Sequence, residues 1–258
     1  MQRERIDKLL VDLGLADSRT RAQAMVMAGS VLVDEQLVDK PSVKFPTDAN
    51  IRIKGRSDAD LYVSRGGLKL AAALREFAID VNGFTCLDVG ASTGGFTDCL
   101  LQHGASKVVA IDVGHNQIDW KLRNDQRVEV RVGVNARYLS LSDFDAQFDL
   151  ATIDVAFISA TKILPTVVPL LNERGRIITL IKPQFEVGKG EVGKGGIVRD
   201  PAQHARVIAE VNATAESLGL SVLGVIESPI QGADGNVEFL ALYSRQKPDR
   251  QGGQLHSR

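Results

Sequence analysis

The chain is poor in the residues that would place it in a specialised class. It has only two cysteines, Cys86 and Cys99. That excludes a disulfide-stapled scaffold, and because each falls in an apolar segment, both read as buried thiols in a reducing compartment. Histidine is scarce too, at four, and no cluster of histidine, cysteine and carboxylate has metal-ligand spacing, so no metal is expected. No uncharged run is long enough to cross a bilayer, and the N-terminus opens on charged residues with no apolar signal core. A cytoplasmic location without membrane attachment is the expectation. Neither sign of charge is in excess: 31 Lys and Arg oppose 32 Asp and Glu. A near-neutral total neither favours nor excludes a nucleic-acid partner, which requires a local basic face rather than a basic average. At 258 residues and 44% hydrophobic content, the chain can form one large domain or one standard domain with a small partner.

A dinucleotide fingerprint is also missing. The one stretch built like a nucleotide-binding turn runs Cys86-Leu87-Asp88-Val89-Gly90-Ala91-Ser92-Thr93-Gly94-Gly95-Phe96-Thr97. It reads as a strand, a tight turn of small residues and a helix starting near Gly95. G-x-G-x-x-G would need a middle glycine, whereas this turn is Gly90-x-x-x-Gly94-Gly95, which makes NAD the weaker reading. Its D-x-G-x-x-x-G-G pattern resembles motif I of the class I S-adenosylmethionine methyltransferases. In those the amino-acid end of the cofactor lies over the turn, here Asp88, Gly90, Ser92, Thr93, Gly94, Gly95 and Phe96. The next strand, Val108 to Val113, ends in Asp112 with Val113 beside it, and a carboxylate there suits ribose hydroxyls. Without a ligand, the same residues would form an ordinary tight strand-to-helix turn.

Around this stretch the chain falls into two parts. Residues 5–13 set Ile6, Leu9, Leu10 and Leu13 on one helical face, and a second helix follows with Ser18 as N-cap and Gly29 as its end. Short strands at 31–33 and 51–53 complete a small α+β module over 1–56. Its pattern resembles the S-four type RNA-binding domain, which implies that Arg3, Arg5, Arg19, Arg21 and Lys44 lie near RNA phosphates; a solvated helix face is the other reading of these charges. Residues 57–61 read as a linker. From residue 62 to 245 strands and helices alternate as in a doubly wound sheet. Strands are expected at 128–132, with Asn135 and Arg137 just beyond, where the adenine of such a cofactor lies. Others are expected at 148–154, ending in Asp154, and at 176–182, ending in Lys182. A helix containing Pro165 and Pro169 is expected to lead to Gly175, and strands at 222–227 and 237–243 to close the sheet. The glycine-rich loop 188–199 reads either as an exposed surface loop or as one that folds over a phosphate. The tail 246–258 is expected to be disordered.

Lys69, Asp154, Lys182 and Glu238 are charged residues at element ends near one crevice. In that order they resemble the K-D-K-E tetrad of the FtsJ-like RNA 2′-O-ribose methyltransferases; a pair of structural ion pairs is the plainer alternative. The segments Tyr62-Val63-Ser64-Arg65-Gly66-Gly67 with Lys69, Leu87 to Asp98, and Lys182-Pro183-Gln184-Phe185-Glu186 resemble the narrower TlyA family. The family likeness implies an S-four type domain ahead of a Rossmann-like α/β methyltransferase domain, with a mostly parallel seven-stranded sheet and helices on both faces. It also implies S-adenosylmethionine as cofactor and methylation of cytidine riboses in the ribosomal RNA of ribosomal subunits. Arg65 joins the RNA-binding set. In the family Lys182 matches the lysine that contacts the hydroxyl, Asp154 orients it, and Lys69 and Glu238 complete the charge network. Three other functions remain open at this point: an RNA-binding protein with an inactive catalytic domain, a membrane-active hemolysin and, more weakly, a NAD oxidoreductase.

Overall fold

The structure is a computed structural model describing residues 3–16, 18–53, 61–115, 117–188, 190–232 and 235–245. The expected tail 246–258 and nearly all of the expected linker lie outside these residues. The chain divides into two compact units, Met1–Leu61 and Tyr62–Arg258.

The first unit contains β1 (Arg3–Arg5), α1 (Ile6–Asp12), α2 (Arg19–Met27), β2 (Val31–Val33), β3 (Gln36–Val38), β4 (Lys44–Pro46) and β5 (Ile51–Ile53). The Ser18 hydroxyl accepts the Arg21 N–H at 3.2 Å and caps α2, which closes on Gly29 at φ +67. Ile6, Leu10, Ala22, Val26, Val31 and Val33 form the core. β2 lies between β3 and β5, antiparallel to both. β1 pairs with β4, so the first helix starts at Ile6 rather than at residue 5, where the backbone is still extended.

The second unit contains α3 (Gly66–Glu76), β6 (Thr85–Val89), α4 (Gly95–Gln102), β7 (Lys107–Asp112), α5 (Trp120–Arg123), β8 (Val128–Val132), β9 (Phe148–Ile153), α6 (Leu164–Val167), β10 (Leu171–Ile181), α7 (Pro183–Glu186), α8 (Pro201–Ser217), β11 (Ser221–Glu227) and β12 (Phe239–Ser244). One seven-stranded sheet runs β8-β7-β6-β9-β10-β12-β11. The first five are parallel, and β12 is antiparallel to both neighbours. Successive strand residues point to opposite faces, so each strand feeds two cores. Cys86, Val108, Ala110, Leu150 and Ile178 pack with α3 and α4 on one face. Leu87, Val109, Ala151 and Ile177 pack with α6 and α8 on the other.

The expected helix up to Gly175 is broken. One-turn 3-10 segments at 160–162 and 168–170 flank α6, and β10 begins at Leu171, with a register shift before Arg176. Pro165 and Pro169 lack the N–H that a continuous helix would need. Chain order reverses direction in the sheet between β6 and β9, and ligands of such sheets bind in the crevice outside the strand ends at that point.

Candidate active site

At the end of β6 the chain turns sharply and is tied to β7: the Gly90 and Ala91 N–H groups donate to the Ile111 carbonyl at 2.9 and 3.1 Å. Gly90 has φ +84, and a Cβ there would stand 2.3 Å from the Asp154 carbonyl oxygen. The turn therefore lies directly against the end of β9. Gly94, in the left-handed region at φ +99, precedes α4.

Asp88 does not face the crevice. It is fully buried, accepting the Thr97 hydroxyl at 2.6 Å and the Thr152 hydroxyl at 2.9 Å. Burial pushes its carboxyl up to about 6 against the opposing effect of those two donors. Its side chain ties β6, α4 and β9 together from beneath the turn.

Asp112 is presented outward. Its two carboxylate oxygens accept the Ser92 N–H at 2.8 Å and the Gly114 N–H at 2.7 Å, which fixes the group while leaving lone pairs for further donors. A cavity of about 500 Å³ opens beside it, lined by Asp112, Val113, Asn135, Arg137, Asp154 and Lys182 among others. The Asn135 side chain caps the following turn by accepting the Arg137 N–H at 3.1 Å, and the Arg137 guanidinium donates to the Tyr138 hydroxyl at 2.9 Å. A second cavity of about 440 Å³ is lined by Ser64, Arg65, Lys69, Thr93, Gly95 and Phe96, and shares Gly90, Ser92 and Asp154 with the first.

The four charged residues form two ion pairs. Lys182 Nζ lies 2.5 Å from Asp154 Oδ1, and Lys69 is paired with Glu238. Both pairs are largely withdrawn from water, Glu238 being 2% exposed. Asp154 lines both cavities, Lys69 the smaller and Lys182 the larger. Just after Lys182, Glu186 accepts the Ser159 hydroxyl at 2.5 Å and the Ala160 N–H at 2.8 Å, and burial raises its pKa. That contact holds the segment following Asp154 against the one following Lys182.

The basic residues of the first unit do not form a uniform solvated face. Asp7 is fully buried and accepts Arg5 at 3.0 and 2.9 Å, Arg19 at 3.1 Å and Gln23 at 2.9 Å. These donors hold its carboxyl well below the usual range. Arg3 donates to the Lys44 carbonyl at 2.7 Å, while Arg21 and Lys44 point to solvent. In the second unit, Arg65 reaches the Gln231 carbonyl at 3.4 Å.

Sequence reasoning missed Phe157 and Gln117, which line the larger cavity. Phe157 is 91% exposed at φ +63 and lies 5.1 Å from the Phe185 ring. An aromatic three residues after Asp154 was the available signal. Among the described residues no group of carboxylates, histidines and cysteines is placed to hold a metal, and no helix is long and apolar enough to cross a membrane.

The strand order, with its one reversed strand and its glycine turn at the switch point, is that of a Rossmann-like methyltransferase domain. The FtsJ-like methyltransferase family matches residues 62–245, and the S4 domain family matches residues 4–51. The 16S/23S rRNA (cytidine-2′-O)-methyltransferase TlyA of Mycobacterium tuberculosis is 45% identical over 96% of this chain and 92% of its own length. Hemolysin A of Brachyspira hyodysenteriae is 43% identical over 92% of this chain and 98% of its own. A solved structure from Streptococcus thermophilus that carries the name hemolysin superposes with a TM-score of 0.72 at 44% identity, covering 96% of this chain and 90% of that one. The chain belongs to the TlyA family, in which an S4 domain precedes an FtsJ-like methyltransferase domain.

Proposed function

We propose that this protein transfers a methyl group from S-adenosylmethionine to the 2′-hydroxyl of cytidine in ribosomal RNA. The observation that carries the reading is the Lys182–Asp154 pair, which stands at neighbouring strand ends and opens onto the cavity bounded by Asp112. The residues fit the cofactor. Gly90 leaves no room for a side chain between the turn and Asp154, so only bare backbone meets a ligand there. Asp112 offers a fixed acceptor to a ribose diol, and Asn135 and Arg137, which line the same cavity, would hold the adenine end. When bound, S-adenosylmethionine supplies an electrophilic methyl group on a sulfonium.

The work of the chain is on the acceptor. A ribose hydroxyl is a weak nucleophile at neutral pH and must be aimed and relieved of its proton. Lys182 acts first as a donor that orients the hydroxyl oxygen, with Asp154 fixing the lysine. As the hydroxyl oxygen takes the methyl group its O–H bond breaks and the Lys182–Asp154 pair takes up the proton, while Lys69, held by Glu238, borders the smaller cavity beside them. Arg3, Arg21 and Lys44 supply phosphate contacts from the S4 unit, with Arg5 and Arg19 held in place by Asp7. Relatives that carry an rRNA methyltransferase name support this substrate.

The test uses unmodified small and large ribosomal subunits, methyl-labelled S-adenosylmethionine and nucleoside analysis of the digested RNA. Label in 2′-O-methylcytidine supports the reading. Label on a base, or none on either subunit, contradicts it.

A further inference from the structure

Asn236 is a buried polar residue that the reaction as described does not use. It is 1% exposed, and its side chain is hydrogen-bonded at both ends. Oδ1 accepts the Val198 N–H at 3.0 Å, and Nδ2 donates to the Gly196 carbonyl at 3.0 Å. Both partners belong to the glycine-rich loop, which closes on itself where the Gly193 N–H donates to the Ile197 carbonyl at 3.1 Å. His204 of α8 grips the same loop, its Nε2 donating to the Val198 carbonyl at 2.9 Å. Lys194 and Arg199 are exposed on it.

In the other direction Asn236 is separated from Glu238 only by Val237. The Gly232 N–H donates to the Asn236 carbonyl at 2.9 Å and the Ser228 N–H to the Glu238 carbonyl at 2.8 Å. A Cβ on Gly232 would lie 2.0 Å from Glu238 Oε1, so this segment fits closely around the carboxylate that holds Lys69. Asn236 and Glu238 thus share one closely bonded segment.

Resting on the methyltransferase reading above, we infer that Asn236 is a positioning residue. It couples the basic glycine-rich loop to the Glu238–Lys69 pair, so that contact of Lys194 and Arg199 with RNA phosphates fixes the charge network at the methyl-transfer site. Neither hydrogen bond of its side chain touches a reacting group; the effect passes through Glu238.

The experiment measures steady-state methylation of ribosomal subunits and S-adenosylmethionine affinity by calorimetry, for wild type, Asn236→Asp, Asn236→Ala and the double variant Lys194→Ala/Arg199→Ala. Wild-type methylation is read first; its absence removes the reading underneath rather than the coupling. Asn236→Asp keeps size and the acceptor for Val198 but turns a carboxylate toward the Gly196 carbonyl, so it tests coupling with the least disturbance of the fold. The expected result is a fall in kcat of about tenfold or more for both Asn236 variants, with cofactor affinity unchanged. The loop variant raises KM for subunits and lowers kcat as well, because the phosphate contacts that fix the pair are lost; a wild-type kcat in it overturns the coupling. Wild-type kcat in Asn236→Asp overturns the inference. So does a loss of cofactor affinity in step with kcat, because that marks a general structural role.

Discussion

Asp154 and Lys182 meet at 2.5 Å because they cap β9 and β10, adjacent parallel strands whose carboxyl ends point the same way. Neighbouring parallel strands deliver residues distant in sequence to one edge, and here that edge carries opposite charges around a cavity.

The Lys69–Glu238 pair is buried, so removing one partner strands the other. Lys69→Ala is expected to destabilise the second unit by about 3–5 kcal/mol, and Lys69→Ala/Glu238→Ala by less than the sum of the single changes. The exposed Arg75–Glu76 pair is the control, and its loss leaves stability within error. Denaturant titration of the four variants checks this.

Gly90→Ala places a methyl group against the Asp154 carbonyl and in the left-handed region. The expected cost is about 1–3 kcal/mol of stability, together with loss of S-adenosylmethionine affinity as the turn moves off β9. Calorimetric titration of the folded variant reads the second effect directly.

Asp88 and Asp7 make stability depend on pH in opposite senses. Burial raises the Asp88 carboxyl from 3.8 to about 6, so the folded state holds its proton where the unfolded chain has lost it, and stability falls as pH rises through that window. Asp88→Asn should flatten the slope between those values. Asp7 is held below 3.8 by its guanidinium partners, so its contribution is present above that value and disappears on acidification beneath it. Unfolding measured between pH 3 and 7 on wild type, Asp88→Asn and Asp7→Asn separates the two.

A chain that begins near Asp60 should keep cofactor binding and lose affinity for ribosomal subunits, since the S4 unit is proposed to carry the phosphate contacts. Equal modification of subunits by fragment and full chain would end that division of labour.

Much of the second unit was legible because its signals are local. The glycine turn, Asp112, and the strands ending near Asp154 and Lys182 all announce themselves within a few residues. What escaped depends on partners remote in sequence. That Asp88 is buried and bonded to Thr97 and to Thr152 on the neighbouring strand could not be read from its own segment. Arg5 and Arg19 looked like a free basic face until α1 and α2 brought both to Asp7. β1, β3 and β4 have three residues each, too few for alternation to register. Asn236 carries no local pattern, and its partners lie 38 and 40 residues earlier in the chain, before α8.

The central claim is that Lys182, held by Asp154, acts on the acceptor hydroxyl and not on the cofactor. Lys182→Ala and wild type would be compared for S-adenosylmethionine affinity and for the rate of 2′-O-methylcytidine formation on ribosomal subunits. The account predicts unchanged cofactor affinity with a rate lower by about 10²–10⁴-fold. An unchanged rate, or a loss of cofactor affinity that accounts for the whole loss of rate, would contradict it.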